Sequence, residues 1–334
     1  MTVVMRRYGV FKGEPLYELT MTNRNGMVVK VLNYGATLER VMVPDGDTKT
    51  DVILTLASPE DYSKERNLLG GTIGRIIARV PGHTWHQGEK SLELPANEGD
   101  NTIHGGPDGI DMQAWNVAYR EKSQADQVTF TLVDFAGHNQ FPGNLKVTVT
   151  YTLDDQDRLQ YELTAETDQM TLFNATNHVY FALDGQGSTV DQTTLQLASD
   201  YYGPLAENHL PMSGWQPVAG TPFDFRQGQR LGDVMPQVLG GAGFDHPFLL
   251  KNDKAATLTG ASGRSVDMTT TAPAVVVYTG NHWDEETGVA SHLKRHSGVT
   301  LEAQVAPPSG QDWSGITLMP GSPYQLKTSW QFRY

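Results

Sequence analysis

TNHVYF, residues 176–181, lies at the centre of a run from 172 to 183 in which apolar and polar side chains alternate. Apolar residues occupy one side of this alternation, with Asn177 as the exception. The other side carries Asn174, Thr176, His178 and Tyr180. Successive side chains of a strand point to opposite faces, so a period of two residues indicates a strand with one buried face. The run therefore predicts a half-buried β-strand.

The polar face of this predicted strand is unusual, because four hydrogen-bonding side chains follow one another and none is a flexible charged residue. A solvated sheet face more often carries Lys, Glu or Thr. A row of Asn, Thr, His and Tyr suits a cleft that holds a polyhydroxylated ligand. The alternative is that His178 is a core histidine whose neighbours satisfy its hydrogen bonds. Both interpretations stay open on this strand alone, since a single polar stripe is a weak signal of a site.

Most of the remaining chain consists of short runs separated by turns rich in Gly, Pro, Asn and Asp. Residues 145–153 and 159–167 predict a hairpin across an Asp-rich turn. Residues 59–69 and 230–238 have helical character, and both predicted helices are short. The pattern predicts an all-β protein, a large antiparallel β-sandwich with few short helices, in which residues 1–334 form a single domain.

The composition excludes several classes of protein. The chain has 334 residues and a formal net charge of −13, whereas nucleic acid and anionic membranes are bound by basic surfaces. It has no cysteine, which excludes disulfides, thiolate nucleophiles and cysteine-ligated zinc. No apolar run approaches the ~20 residues that cross a bilayer, and no signal-peptide core follows the first residues. We expect a soluble, cytoplasmic protein with no nucleic-acid or membrane partner.

A carboxylate stands within a second alternating run, residues 299–305. One face of this run is apolar, and the other carries Thr300, Glu302 and Gln304. No Lys or Arg stands beside Glu302, and a carboxylate that faces a cleft from a central strand is partly desolvated, which makes it a stronger base. The alternative is an exposed glutamate on a solvated sheet.

Three further side chains are candidates for contact with a ligand. His104 precedes Gly105 and Gly106, which allow the backbone to approach a ligand closely, although it could also be a turn histidine. Asp245 begins a predicted strand and could accept hydrogen bonds from two ligand hydroxyls or cap a turn. Arg79, among apolar residues, needs a partner, which a substrate oxygen or a carboxylate would supply.

Other combinations of residues match known sites only in part. His292 and His296 are four residues apart, as zinc ligands on a helix are, but the residues between them are basic and include no glutamate. This stretch is interpreted as a solvated loop. The sequence has no P-loop, no Gly-x-Gly-x-x-Gly after a strand and no Gly-x-Ser-x-Gly elbow. No metal site is predicted.

A set of short motifs resembles the aldose 1-epimerases, also called galactose mutarotases, nearly from end to end. The motifs are NYGAT at 33–37, IGR at 73–75 leading to Arg79, HGG at 104–106, TNH at 176–178 with YF at 180–181, GFDH at 243–246, YTGN at 278–281, LE at 301–302 and MPG at 319–321. Each motif is weak alone, but all of them in this order, in a chain of this length, form a strong signal.

The resemblance implies a galactose mutarotase-like supersandwich that exchanges the α and β anomers of free aldoses such as galactose and glucose. Glu302 is implied as the general base that deprotonates the anomeric hydroxyl, and His178 as the protonated general acid that donates to the ring oxygen. His104 is assigned to the catalytic group with them. The implied sugar-binding residues are Arg79, Asp245, Tyr180 and, where the family commonly has asparagine, Ala78.

Further expectations follow from this resemblance. Nothing is oxidised in the reaction, so no cofactor is expected, and the expected partner is a monosaccharide bound by a monomer or a homodimer. The active form needs a protonated acid and a deprotonated base, and the two opposite charges stabilise each other. This predicts a bell-shaped dependence of turnover on pH. The family often has glutamine where this chain has Val276. At Ala78 and Val276 this chain therefore lacks polar side chains that could contact the sugar. These differences affect which sugar is bound more than which reaction is catalysed.

Three alternative functions would use some of the same residues. A carbohydrate-binding sandwich without catalysis would not need both His178 and Glu302. An epimerase of hexose 6-phosphates would need basic residues that converge on a phosphate, and no such cluster stands near the motifs. A cupin-like enzyme would use His104, His178 and Glu302 as metal ligands, but such sites usually bring two histidines close in one strand, and no His-x-His occurs here.

Overall fold

The computed structural model describes residues 2–87, 89–121, 125–285, 288–310 and 312–334, and β-strands dominate its regular structure. The first strands of the described chain are β1 (Thr2–Phe11), β2 (Glu14–Thr22), β3 (Val28–Leu32), β4 (Thr37–Asp45), β5 (Thr48–Asp51), β6 (Thr72–Ile73), β7 (Arg79–Val80), β8 (Thr84–Gln87), β9 (Lys90–Glu93) and β10 (Thr102–Ile103). The central strands are β11 (Asn116–Glu121), β12 (Ala125–Asp134), β13 (Leu145–Asp154), β14 (Arg158–Thr167), β15 (Thr171–Leu172), β16 (Thr176–Asn177), β17 (Tyr180–Phe181), β18 (Thr194–Leu197) and β19 (Tyr201–Tyr202). The last strands are β20 (Gln216–Pro217), β21 (Gln229–Arg230), β22 (Asp245–Leu249), β23 (Lys254–Thr259), β24 (Ser265–Thr270), β25 (Ala274–Tyr278), β26 (Val299–Gln304), β27 (Thr317–Leu318) and β28 (Tyr324–Arg333).

Helices are few and short. Within the described ranges there is one α-helix, α1 (Leu231–Val234). The 3-10 helices are Pro59–Ser63, Pro81–His83, Ile110–Met112, His138–Gln140, Val190–Gln192, Met235–Gln237, Leu239–Gly241, Trp283–Glu285, Gly288–Ala290 and Ser314–Ile316. None of the described helices is long and apolar enough to span a membrane.

Three antiparallel sheets contain the long strands. The first is a five-stranded meander of β1 to β5 in sequence order. The second has nine strands in the order β11-β12-β13-β14-β28-β24-β23-β18-β21, and the third has six in the order β17-β26-β25-β22-β19-β20. These sheets confirm the predicted all-β antiparallel sandwich, and β13 and β14 confirm the hairpin predicted from residues 145–153 and 159–167.

The six-stranded sheet packs one face against the nine-stranded sheet. Alternate residues of β26, such as Leu301, belong to the main hydrophobic core, and the ring centroid of Phe181 on β17 lies 6.3 Å from that of Trp330 on β28. The intervening residues of β26 point to the other face, but they are buried as well. A polar side chain on that face, such as Glu302, is therefore largely withdrawn from water.

The run from 172 to 183 differs from its prediction. It is not one half-buried strand but contains three short strands, β15, β16 and β17, which pair with β27, β6 and β26 respectively. Both faces of the run are buried, because side chains on each face pack against other parts of the chain. The amide nitrogen of Asn177, the exception on the apolar face, donates to the Gly70 carbonyl (2.6 Å) and the Tyr151 hydroxyl (2.9 Å), while its Oδ1 is buried without a partner among the described residues.

The observed helices are shorter than the residue ranges predicted to be helical. The helix predicted over residues 59–69 is limited to the 3-10 turn Pro59–Ser63, before which the amide and hydroxyl of Ser58 donate to the Asp61 carboxylate (3.0 and 2.9 Å). The short helical turn predicted within residues 230–238 is confirmed as α1 and the 3-10 turn that follows it.

One buried carboxylate costs the fold stability. Glu39 on β4 is fully buried, neither of its carboxylate oxygens accepts a hydrogen bond within the described structure, and the nearest cation, Nε of Arg40, is 3.8 Å away. Burial raises the pKa of Glu39 to about 7 from an ordinary value of 4.5. Since the folded pKa lies above the unfolded one, the folded state is progressively destabilised as pH rises from about 4.5 through about 7.

Replacing Glu39 by glutamine should therefore stabilise the protein at pH 8 by about 1–3 kcal/mol and have much less effect at pH 5, because glutamine carries no charge to desolvate. Urea denaturation of both proteins at the two pH values measures the difference. The exposed Glu14, replaced in the same way, is the control and should change stability little at either pH. A Glu39→Gln effect that is equal at pH 5 and pH 8 would contradict this account.

Candidate active site

A cavity of about 400 Å³ opens on the outer face of the six-stranded sheet. It brings together all seven residues that the sequence analysis assigned to catalysis or sugar binding, although they come from distant parts of the chain. These lining residues are Ala78, Arg79, His104, His178, Tyr180, Asp245 and Glu302.

Glu302 and His178 face each other in this cavity. Glu302 is fixed by its place within β26, where it pairs with Val276 of β25. His178 lies between β16 and β17, and its backbone N–H donates to the Gly71 carbonyl (2.9 Å) while its carbonyl accepts from Gly70 (3.0 Å). Nε2 of His178 is 3.2 Å from Oε1 of Glu302, and the two side chains are only 3% and 5% exposed. This separation allows a proton to pass between them.

Burial favours the uncharged forms of both groups. It raises the pKa of Glu302 to about 8, an effect that the negative charge of Asp245 reinforces, although Thr300 and Gln304 each donate a hydrogen bond to the carboxylate at 3.1 Å. Burial lowers the pKa of His178 to about 4. Nδ1 of His178 is also buried without a hydrogen-bond partner among the described residues, so an N–H there would be unsatisfied. The two residues therefore share one proton between about pH 4 and pH 8.

These protonation states modify the expectation that the carboxylate of Glu302 and the imidazolium of His178 stabilise each other. The carboxylate of Glu302 and the imidazolium of His178 contain the same single proton as the neutral pair does. Transfer of that proton from Glu302 to Nε2 of His178 across 3.2 Å gives the charged form, and it requires the imidazole to carry its other N–H at Nδ1, where no partner lies among the described residues. The site therefore holds the right number of protons for acid–base exchange, and desolvation opposes the charged form until a ligand compensates.

His104 lies next to His178, with the two rings perpendicular and their centroids 5.6 Å apart. The backbone N–H of Ala78 donates to Nδ1 of His104 at 3.3 Å, and the N–H of His104 donates to the Ala78 carbonyl at 3.1 Å. Burial holds the pKa of His104 well below its ordinary value. The imidazole is therefore neutral with its proton on Nε2, which makes Nε2 a hydrogen-bond donor.

The backbone around His104 is tightly folded. A Cβ atom on Gly105 would lie 2.0 Å from the Gly74 carbonyl oxygen, so only glycine fits there. Ala78 has a left-handed φ of 65°, a conformation that asparagine adopts more easily than alanine does. Ala78 offers no polar side chain to a ligand, but its backbone orients His104 through the two hydrogen bonds between these residues.

Arg79 and Asp245 also line the cavity. The guanidinium of Arg79 makes a bidentate pair with Glu98 (2.6 and 2.7 Å), which identifies its partner as a carboxylate. Nη1 of Arg79 is 3.7 Å from Oδ2 of Asp245, and Nδ1 of His209 is 3.5 Å from the same oxygen. Asp245 thus sits between two potential hydrogen-bond donors at the start of β22, with its carboxylate on the cavity.

The polar face predicted for residues 172–183 contributes only partly. His178 and Tyr180 line the cavity, and the Tyr180 ring packs 5.2 Å from Trp283 and 5.0 Å from His178. Asn174 instead exchanges hydrogen bonds with the backbone of Val305 (2.9 and 3.1 Å). Thr176 is buried outside the lining.

Several lining residues were not predicted from the sequence, and Arg66 is the most informative of them. Arg66 pairs with Asp111 (2.7 Å twice) and donates to the carbonyls of His104 and Gly106 (both 2.6 Å). It therefore holds the loop that carries His104. No local pattern marks Arg66, because its partners lie about 40 residues away in sequence. Glu98, His209, His282 and Trp283 also line the cavity and were not singled out, and Tyr278, the first residue of the YTGN motif, lines it as well.

Replacing Arg66 by lysine should lower kcat/KM by about 10–100-fold, because an ammonium group cannot hold a carboxylate and two carbonyls in one fork, and a small displacement of a catalytic group is costly. Steady-state kinetics and thermal unfolding should show the loss in kcat/KM together with a small change in Tm. Lys64→Ala, which removes a nearby exposed cation paired with Asp61, is the control and should retain activity. If Arg66→Lys were as active as the wild type, the loop that carries His104 would be positioned without the hydrogen bonds of the Arg66 guanidinium.

Within the part of the chain that the structure describes, no group of three or more His, Cys, Asp or Glu side chains is placed to hold a metal ion. His292 and His296 do not converge, since Nε2 of His292 contacts the Thr55 carbonyl (3.2 Å) and Nε2 of His296 contacts the Ala242 carbonyl (2.9 Å).

Comparison with known proteins identifies consistent relatives. The sequence model of the family described as aldose 1-epimerase matches residues 17–331. The chain is 34% identical over 339 residues to the aldose 1-epimerase of Escherichia coli K12, with 96% of each chain covered. It is 35% identical over 317 residues to the galactose mutarotase of Mus musculus, covering 91% of this chain and 90% of the relative. A crystal structure titled galactose 1-epimerase from Lactobacillus acidophilus superposes with a TM-score of 0.93 at 42% identity, covering 99% of this chain and 98% of that one.

Proposed function

Because the chain belongs to the aldose 1-epimerase family and is an isomerase of aldose anomers, we propose that it acts on free galactose and glucose by acid–base opening of the sugar ring. Glu302 is the proposed base and His178 the proposed acid. His104, Arg79, Asp245 and Tyr180 are proposed to bind the sugar, together with the backbone of Ala78.

One observation carries this proposal, namely the 3.2 Å approach of His178 Nε2 to Glu302 Oε1 at the wall of a cavity. The two groups share one proton between about pH 4 and pH 8. Anomer exchange needs one group that accepts a proton and one that donates a proton, on either side of the anomeric carbon. A pair that holds a single proton meets this requirement at neutral pH.

The proposed reaction conserves protons. The Glu302 carboxylate takes the proton of the anomeric hydroxyl while the His178 imidazolium gives its proton to the ring oxygen. The bond between C1 and the ring oxygen breaks, and C1 becomes an aldehyde. Rotation about C1–C2 presents the other carbonyl face, and on ring closure Glu302 gives its proton to the aldehyde oxygen while His178 takes back a proton from the hydroxyl that becomes the ring oxygen. The neutral His104 donates from Nε2 to a sugar oxygen, and each acid or base contributes roughly 10²–10⁴-fold to the rate.

The charges around the cavity favour an unphosphorylated sugar. In the described ranges, the Lys and Arg side chains that line it are Arg66 and Arg79. Arg66 is paired with Asp111 and Arg79 with Glu98, so each positive charge already has a carboxylate partner. A phosphate ester would also meet the carboxylate of Asp245. These pairings support a free aldose rather than a hexose 6-phosphate as the substrate.

Polarimetry tests the proposed function. Freshly dissolved α-D-galactose and α-D-glucose should approach their equilibrium rotation faster in proportion to the amount of protein, and heat-inactivated protein should have no effect. A carbohydrate-binding protein without catalysis would leave the drift at its spontaneous rate. That result with both sugars would contradict the proposal.

A further inference from the structure

Gln304 lies behind Glu302, outside the cavity that a sugar would occupy. It is the second residue after Glu302 in β26, so the two side chains share one face of the strand. Gln304 is fully buried, and neither it nor Thr300 is among the described residues that line the cavity. Any effect of Gln304 on the reaction must therefore pass through Glu302.

Each oxygen of the Glu302 carboxylate accepts one hydrogen bond from a neighbour in β26. The hydroxyl of Thr300 donates to Oε1, and Nε2 of Gln304 donates to Oε2, both at 3.1 Å. Oε1 is also the atom that lies 3.2 Å from Nε2 of His178. Because the two oxygens are bonded separately, the carboxylate cannot turn about its last bond without breaking both hydrogen bonds. Oε1 is thus held towards His178 and Oε2 towards Gln304.

The orientation of the Gln304 amide leaves its own oxygen unsatisfied. Oε1 of Gln304 is buried and has no hydrogen-bond partner within the described ranges. A buried polar atom without a partner costs free energy. The reversed amide would direct this oxygen at Oε2 of Glu302, a contact that is favourable only when Oε2 carries a proton. The two amide orientations therefore correspond to two different positions of the proton on Glu302.

The observed orientation restricts where the single proton of the His178–Glu302 pair can lie. An N–H of Gln304 is directed at Oε2, so a proton on Oε2 would place two donors face to face. The proton is then confined to Oε1 of Glu302 or Nε2 of His178, the two atoms that exchange it. With the amide reversed, the proton would rest on the oxygen that faces Gln304 rather than His178.

We propose that Gln304 is a positioning residue for the reaction, which donates to Oε2 of Glu302 and thereby confines the shared proton to the contact between Oε1 and His178. Gln304 itself exchanges no proton. Its hydrogen bond stabilises the carboxylate form of Glu302, which accepts the proton of the anomeric hydroxyl. This inference rests on the proposed function, because Glu302 and His178 are the base and the acid of that reaction.

The other groups that act on the charge of Glu302 stay the same in the variants that test this role. Among the described residues these groups are His178, Asp245 on β22, Arg79 on β7 and Tyr278 on β25. Since none of them is replaced, a change in the pH profile reports on the hydrogen bond to Oε2.

Gln304→Met keeps an unbranched side chain of similar length but offers no hydrogen bond. The carboxylate of Glu302 loses a donor, so the pKa of Glu302 should rise by about one unit. Anomer exchange of α-D-glucose at pH 7 should fall about tenfold, mainly in kcat, because the carboxylate form becomes rarer. The alkaline limit of the pH profile should move up by about one unit. Gln196→Met, which changes an exposed glutamine of β18, is the control and should alter neither quantity.

Gln304→Glu restores a donor for as long as its own carboxyl group is protonated. Near pH 6 this group should donate to Glu302 as the amide does, and exchange should stay within about threefold of the wild type. As pH rises, loss of one proton leaves a carboxyl group and a carboxylate that share the other, which favours that loss. Activity should therefore decline at a lower pH than in the wild type. Gln304→Met and Gln304→Glu thus move the alkaline limit in opposite directions, which damaged packing would not do.

A titration without substrate separates this proposal from the proposed function. NMR of protein labelled at the glutamate carboxyl carbons follows the pKa of Glu302, whose signal is identified by its absence in Glu302→Gln. If no sugar were turned over but this pKa rose in Gln304→Met, the proposed function would fail and the positioning role would stand. If glucose were turned over and Gln304→Met changed neither the alkaline limit nor this pKa, the positioning role would be overturned and the proposed function would stand. Should Gln304→Met not fold, an unchanged alkaline limit in Gln304→Glu would overturn the role.

Discussion

Glu302→Gln should lower kcat/KM for anomer exchange of α-D-glucose by about 10²–10⁴-fold, the contribution of one positioned acid or base. Glutamine has the shape of the protonated side chain and can still hydrogen-bond with Thr300 and Gln304, which now donate to the carboxylate. It cannot accept the proton of the anomeric hydroxyl. Polarimetry with and without the substitution measures the loss, which should fall on kcat more than on KM because the sugar contacts remain.

Two controls distinguish a lost base from a damaged fold. Glu166→Gln changes an exposed glutamate on β14 and should keep full activity. The second control is stability. Burial raises the pKa of Glu302 to about 8 from an ordinary 4.5, so the wild type loses stability as pH rises through this interval and Glu302→Gln does not. The variant should therefore unfold no more easily than the wild type at pH 7, and it should be the more stable of the two at pH 9. Near-normal exchange by Glu302→Gln would remove Glu302 from the mechanism.

The long strands were predictable because their signal is local. In β13 and β14 the alternation of apolar and polar residues extends over the whole strand, and the turn between them lies within the same stretch of sequence. Glu302 was singled out for a similar reason, since the residues on either side of it in β26 are apolar and no cation stands nearby. Such patterns report which face of a strand is buried, and they identify side chains withdrawn from water.

The parts that were missed depend on contacts between distant residues. The run from 172 to 183 has the period of one strand, but β6, β26 and β27 each pair with a piece of it, and no residue within the run encodes those partners. Arg66 resembles any surface arginine until the loop of His104 and the carboxylate of Asp111 are placed beside it. His104 and Asp245 were nevertheless assigned to the site, because they belong to motifs shared with a known family. Such motifs indicate which distant residues meet in the fold, and the alternation of apolar and polar residues does not.

His178→Asn should also lower kcat/KM by about 10²–10⁴-fold, and in addition it should invert the alkaline side of the pH profile. In the wild type the active form is the pair with one proton. Activity should fall below about pH 4, where the pair gains a second proton and has no base, and above about pH 8, where it loses its only proton and has no acid. Without His178, the residual reaction depends on the Glu302 carboxylate alone. It should therefore rise with pH across the range in which Glu302 loses its proton.

Glu302→Gln should show the opposite trend, with a residual activity that increases as pH falls and His178 gains its proton. These opposite slopes assign the base and the acid separately, which a loss of activity alone cannot do. Since the two residues act on one sugar as a unit, the double variant should be little worse than either single variant. If His178→Asn kept a bell-shaped profile with reduced height, the proton donated to the ring oxygen would come from another group. His104 would be the nearest alternative, because its ring lies 5.6 Å from that of His178 and its Nε2 carries a proton.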